Sequence, residues 1–172
     1  YHGRLDWTFT FAGDFAAFQP ASPKGVHAAI RGWVCAALCD LGLQIDPVKT
    51  GPVGRTARNG SCTTQVTGHD LPSGGRKLVG CAQRRRGARF LEHGVVTQVA
   101  GPLSGPSSTS IHELLGETLA LAAFVRALSC VLQRAGLVLQ IDSPTTDELT
   151  RAERLVTRRY GRSSWTRQGV LQ

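Results

Sequence analysis

The chain has 172 residues, enough for one domain with a sizeable core, and its 41% apolar content excludes an intrinsically disordered class. No apolar run reaches the roughly 18 residues that a membrane-spanning helix needs, so membrane partners are not expected. The net charge of +8 suits an acidic partner, yet only Lys24, Lys49 and Lys77 are lysine among the twenty basic residues. Trp7 to Phe11 alternate apolar and polar and predict a strand, followed by a proline-bearing loop to Lys24. Val26, Ile30, Val34, Leu38 and Leu41 recur at helical spacing and predict a helix over 26–43. Residues 44–61 read as a loop rich in Gly, Pro, Arg and Asn. A short strand is expected near Cys62, a turn at Gly74 and Gly75, and a strand over 77–83. The arginines of 84–87 read as a turn before a further strand over 90–99. After a Pro/Gly/Ser connection, helices are expected over 111–121, 122–135 and 148–160, with Gly136 as a stop and Thr145, Thr146 and Asp147 as cap candidates.

No alternating βαβ units appear, so the fold class is α+β, an antiparallel or mixed β-sheet flanked by helices in a single domain over 1–172. The five cysteines, Cys35, Cys39, Cys62, Cys81 and Cys130, form no CxxC pair and have no zinc-ligand spacing. Reduced thiols and a cytoplasmic location are therefore expected, without a metal. Cys35, Cys39 and Cys130 read as core positions on apolar helical faces, and Trp33 and Trp165 as packing anchors.

One segment concentrates chemistry: Cys62 to Asp70, then Gly75, Arg76, Lys77, Gly80, Cys81 and Gln83, then His93 and Gly94. Neighbouring antiparallel strands can bring such groups together, since facing residues lie about 5 Å apart. A thiol beside an ammonium is a better nucleophile, and the same ammonium can stabilise an oxyanion or bind a phosphate. The glycines allow an extended ligand or another backbone to approach closely. His69 could orient a thiol, although a surface loop histidine explains it as well. The run Arg84-Arg85-Arg86 reads as a solvated turn or as a contact for an acidic carrier.

The pattern G-R-K-L-V-G-x-A-Q-R-R followed by H-G resembles the biotin/lipoate protein ligase family, which includes lipoate ligases and octanoyl transferases. The resemblance extends to Asp6-Trp-Thr-Phe-Thr10, to the helix ending Leu41-Gly42, and to the tail with Glu153, Arg159-Tyr160-Gly and Trp165. It implies a biotin/lipoate ligase-like (class II synthetase-like) catalytic domain, incomplete at the N-terminus, because the family's arginine- and glycine-rich motif falls upstream of His2. The order Cys62, Asp70, Lys77 matches the cysteine-containing octanoyl transferase branch, with Asp70 eight positions after Cys62. That resemblance implies Cys62 as acyl-accepting nucleophile, Lys77 as active-site amine, and Asp70, Gly75, Arg76, Gly80, Gln83, His93 and Gly94 as substrate-binding.

The implied partners are octanoyl-acyl carrier protein as donor and a lipoyl domain or glycine-cleavage H protein as acceptor, with no cofactor. The ligase branch shares the lysine and would instead require ATP. A diverged, non-catalytic carrier-binding protein is the third reading, since Thr63, Cys81 and Val95 replace the family's usual Phe, Ser and Ser. Nucleic acid ranks last among partners because stacking aromatics are few.

Overall fold

Trp7, Phe9 and Phe11 alternate with Thr8, Thr10 and Ala12 to make β1 (Trp7–Asp14), whose aromatic side turns inward. The computed structural model describes residues 5–47, 68, 70–101 and 104–163. It adds β2 (Leu71–Ser73), β3 (Arg76–Arg86) and β4 (Arg89–Val96) in one antiparallel sheet of order β1-β4-β3-β2. The chain divides into two compact units, Tyr1–Val138 and Leu139–Gln172.

In the first unit, helix α1 (Pro23–Asp40) starts where the Ser22 side chain accepts from Gly25 N and Pro23 occupies the first turn. Its face of Val26, Ile30, Val34, Ala37 and Leu38 is fully buried. A fully buried Val, Ile or Leu stabilises the fold by about 1.5–3 kcal/mol relative to exposure. Helix α2 (Ile111–Leu115) is shorter than its sequence pattern predicts, because Gly116 at φ 81° closes it as a left-handed cap. Helix α3 (Leu121–Arg134) packs beside α1 and stacks Phe124 on Trp7 at 4.9 Å. The helical layer thus covers one face of the sheet. Trp33 packs against Phe11 and Phe18 as an anchor, whereas Cys39 and Cys130, expected in the core, are exposed.

The strand pattern differs from expectation at both ends of the β3–β4 pair. The arginines after Gln83 extend β3 and do not turn; the turn is the two-residue loop Gly87–Ala88, with Gly87 at φ 59°. A single positive φ at the first loop position suits a tight hairpin that keeps the right-handed strand twist. Strand β4 stops at Val96, because the Thr97 and Gln98 carbonyls accept from Ile111 N and His112 N at 3.0 and 2.9 Å. Strand β2 lies at Leu71–Ser73, and the strand expected near Cys62 falls outside the described residues.

In the second unit, α4 (Thr146–Leu155) opens on a reciprocal cap between Thr145 and Glu148 and continues as a π-helical turn to Tyr160. No described residue of this unit is buried. No helix among the described residues is long and apolar enough to cross a membrane.

Candidate active site

The position of Lys77 follows from two local devices in β2 and β3. Gly74 and Gly75, at φ 57° and 73°, form a two-residue turn that few other residues tolerate. The Asp46 carboxylate accepts from both of their amides, at 3.1 and 2.6 Å. Beyond the turn, Pro72 pairs with Lys77 but Leu71 pairs with Val79, so Leu78 is the extra residue of a β-bulge. Leu78 and Val79 are consecutive and both fully buried, as that bulge requires. The bulge puts Lys77 on the same sheet face as Gly80.

On its other side, the Lys77 backbone donates to Ser107 O at 2.8 Å and accepts from Thr109 N at 2.9 Å. The lysine is therefore clamped from both sides, and its Nζ lies 3.0 Å from Asp70 Oδ1. Asp70 also accepts from Cys81 N at 3.4 Å, and its side chain is 2% exposed against 14% for Lys77. A methyl on Gly80 would stand 2.8 Å from Lys77 Cε and 3.2 Å from Nζ, so only glycine leaves this cradle open. The result is an ammonium–carboxylate pair largely shielded from water, at the end of an open sheet face.

That face is lined in register by Thr8, Val95 and Gly80, then Thr10, His93 and Ala82, then Ala12, Leu91 and Arg84. Thr10 Oγ1 and His93 Nδ1 lie 3.0 Å apart. The opposite face, under α1, holds a buried polar layer. His27 Nδ1 meets Glu92 Oε1 in a short hydrogen bond, and Gln83 Nε2 donates to Glu92 Oε2 at 3.0 Å and to Pro23 O at 3.2 Å. Arg31 donates from Nη1 to Gly68 O at 2.5 Å. Burial lowers the Arg31 pKa from its ordinary value, while the nearby Cys81, Asp70, Cys35 and Glu92 oppose that shift. Burial, aided by Glu92 and Asp70, pushes the Cys81 thiol up to about 12, so it is a poor nucleophile at neutral pH.

The structure brings Asp70, Lys77 and Gly80 together, with Gly75 and Arg76 in the supporting turn and strand. Arg76 itself pairs with Glu113 at 2.5 Å, which lowers the Glu113 pKa. His93 shares the open face with Lys77. Gln83 faces the buried layer, away from Lys77. Gly94 also faces inward, where a methyl would overlap the Phe9 ring at 2.1 Å; packing accounts for that glycine. Cys62 and His69 lie outside the described residues. Sequence reasoning missed Asp46, the Ser107–Thr109 clamp, and the polar pair His27 and Arg31. The last carried a signal: two polar residues one helical turn apart, next to the apolar stripe of α1. Among the described residues, no group of three or more His, Cys, Asp or Glu is placed to hold a metal.

This architecture is the fold of lipoate and biotin protein ligase catalytic domains. A lipoate-protein ligase A bound with ATP superimposes with a TM-score of 0.76 at 16% identity, over 96% of this chain and 66% of that one. An archaeal bipartite lipoate protein ligase from Thermoplasma acidophilum, studied with its E2 lipoyl domain, gives 0.69 at 14% identity, over 100% and 68%. A biotin protein ligase from Aquifex aeolicus gives 0.53 at 12% identity, over 76% and 54%. The chain thus spans just under two thirds of the ATP-bound ligase. The sequence matches no family model and no curated protein.

Proposed function

We propose that the protein acylates a lysine of an acceptor protein, moving an octanoyl or lipoyl group onto a lipoyl domain or a glycine-cleavage H protein. The observation that carries this reading is the buried Lys77–Asp70 pair held against Gly80 on a lipoate ligase-like fold. In the reaction favoured by the Cys62, Asp70, Lys77 spacing, the Cys62 thiolate attacks the octanoyl thioester of acyl carrier protein. The carrier thiolate leaves and takes up a proton. The acceptor lysine, as a neutral amine, then attacks the Cys62 thioester; it loses a proton, an amide forms and the Cys62 thiolate is released. Lys77 stabilises the negative charge that develops on the acyl oxygen in both steps. Asp70 positions Lys77, and the substrate lies along Gly80 and His93. The setting is a reducing, cytoplasmic one.

A second reading is an ATP-dependent lipoate-protein ligase, favoured by the fold match to an ATP-bound enzyme of that kind. There Lys77 would contact an acyl-adenylate and Cys62 would be dispensable. Intact mass after incubation with octanoyl-acyl carrier protein separates the two. The transferase reading expects an acyl adduct that disappears in Cys62→Ala. An adduct that persists in that variant rejects Cys62 as nucleophile, and transfer only with ATP and free lipoate selects the ligase. Absence of transfer under both conditions leaves the non-catalytic carrier-binding reading.

A further inference from the structure

The β3–β4 hairpin carries its charge in register with the Lys77 face. From Val79 to Arg86 the β3–β4 ladder has no slip, so Gly80, Ala82, Arg84 and Arg86 share the open face. Arg86 pairs with Arg89, and Arg89 with Asp14 of β1, so the outermost row of this face is two arginines and one aspartate. Arg84, Arg85, Arg86 and Arg89 are all exposed. Arg89 has only a loose 3.6 Å contact with Asp14 on this exposed edge, and Arg84, Arg85 and Arg86 form no ion pair among the described residues. At about 3.4 Å per residue, Arg84 and Arg86 lie about 14 and 20 Å along the strand from Gly80. Both distances fall within the footprint of one small domain, since about 100 residues have a radius of gyration of about 13 Å. Between the two ends the face is low and uncharged: Ala82, Ala12, Thr10 and Leu91, with His93.

We infer that the arginine tip of the β3–β4 hairpin, continuous with the open face that ends at Lys77, docks the acyl-accepting lipoyl domain through a patch of acidic side chains on that domain. The inference rests on the proposed function for the identity of the partner. Like-sign residues directly opposite one another, as at Arg86 and Arg89, destabilise a hairpin, whereas an acidic partner relieves that repulsion. Among the described residues this face carries no Phe, Tyr or Trp beside its arginines, so they offer no stacking platform of the kind a single-stranded nucleic acid would use. Complementary charge of this kind chiefly raises the association rate and fixes orientation, and it weakens with salt.

The test is direct binding of a fluorescently labelled apo lipoyl domain to the protein, with no turnover required. Wild type binds at low ionic strength, and binding weakens as NaCl is raised. R84E/R86E weakens binding by roughly tenfold or more and flattens the salt dependence, whereas R84K/R86K stays within about threefold of wild type. Neither pair touches the Lys77 cradle, and circular dichroism checks that both variants keep the wild-type fold. Equal binding by wild type and R84E/R86E overturns the inference. So does absence of binding by wild type, or displacement of the lipoyl domain by an equimolar oligonucleotide. Binding that depends on the arginines but is followed by no acyl transfer supports the docking site and rejects the proposed function.

Discussion

Two glycines in neighbouring strands separate function from packing. Gly80→Ala pushes Lys77 off its 3.0 Å contact with Asp70, and the lysine chain is flexible enough to yield. We expect acyl transfer to fall by roughly tenfold or more, since small misplacements of a charged group are costly, while stability changes by about 1 kcal/mol. Gly94→Ala drives a methyl into the Phe9 ring and should lower stability by about 1–3 kcal/mol or more. Denaturant midpoints alongside initial rates distinguish the two. Cys81 makes a pH prediction. An unfolded-chain thiol ionises near 9, whereas folded Cys81 is pushed up to about 12 and Cys35 to about 11, chiefly by burial. The folded state therefore keeps protons that the unfolded state sheds, so stability declines as pH rises from about 9 toward 12. Denaturation series at pH 8 and pH 10.5 should show that decline, and Cys81→Ala should reduce its slope; an unchanged slope contradicts the assignment.

Between elements, the decisive contacts are those that aim β3. Asp46→Ala removes both acceptors from the Gly74–Gly75 turn. At about 0.5–1.5 kcal/mol each, the lost hydrogen bonds loosen the turn and the bulge, and acyl transfer should fall more than stability does. His27→Ala leaves the fully buried Glu92 with fewer donors and should cost about 1–3 kcal/mol, read by thermal unfolding. Here sequence and structure part company. The hairpin strands, α1 and the Gly74–Gly75 turn were legible, because period-2 and period-3.6 patterns and paired glycines act locally. Lys77 stood out as one of three lysines in an arginine-rich chain. The His27–Glu92 bond was not legible, since its partners lie 65 residues apart and no local pattern records the pairing. The bulge was hidden for a related reason: Leu78-Val79 reads as an ordinary apolar step until the register with Leu71 and Pro72 is known. The arginines of β3 misled toward a turn, because a charged run at a hairpin end looks like a loop whether or not it is paired.

At the scale of the first unit, one helical layer covers one face of the sheet, and among the described residues the other face stays open, with Lys77 at one end and arginines at the other. Under the proposed function that arrangement suits a protein acceptor with a reachable lysine, and it gathers Arg84, Arg85, Arg86 and Arg89 at one tip of the sheet. Lys77→Ala tests the centre of this account. Lys77→Ala and Lys77→Met, which fills the cradle, both remove the ammonium beside the buried Asp70 carboxylate and should lower stability, by up to about 3–5 kcal/mol, so a check of folding by circular dichroism accompanies each. The most direct measurement is the intact mass of an apo lipoyl domain incubated with the protein, once with octanoyl-acyl carrier protein and once with ATP and lipoate. The account predicts that the lipoyl domain gains one acyl group in at least one of these mixtures, and that folded Lys77→Met abolishes the gain. Undiminished acylation by folded Lys77→Met would contradict it, as would an unmodified lipoyl domain in both mixtures with the wild-type protein.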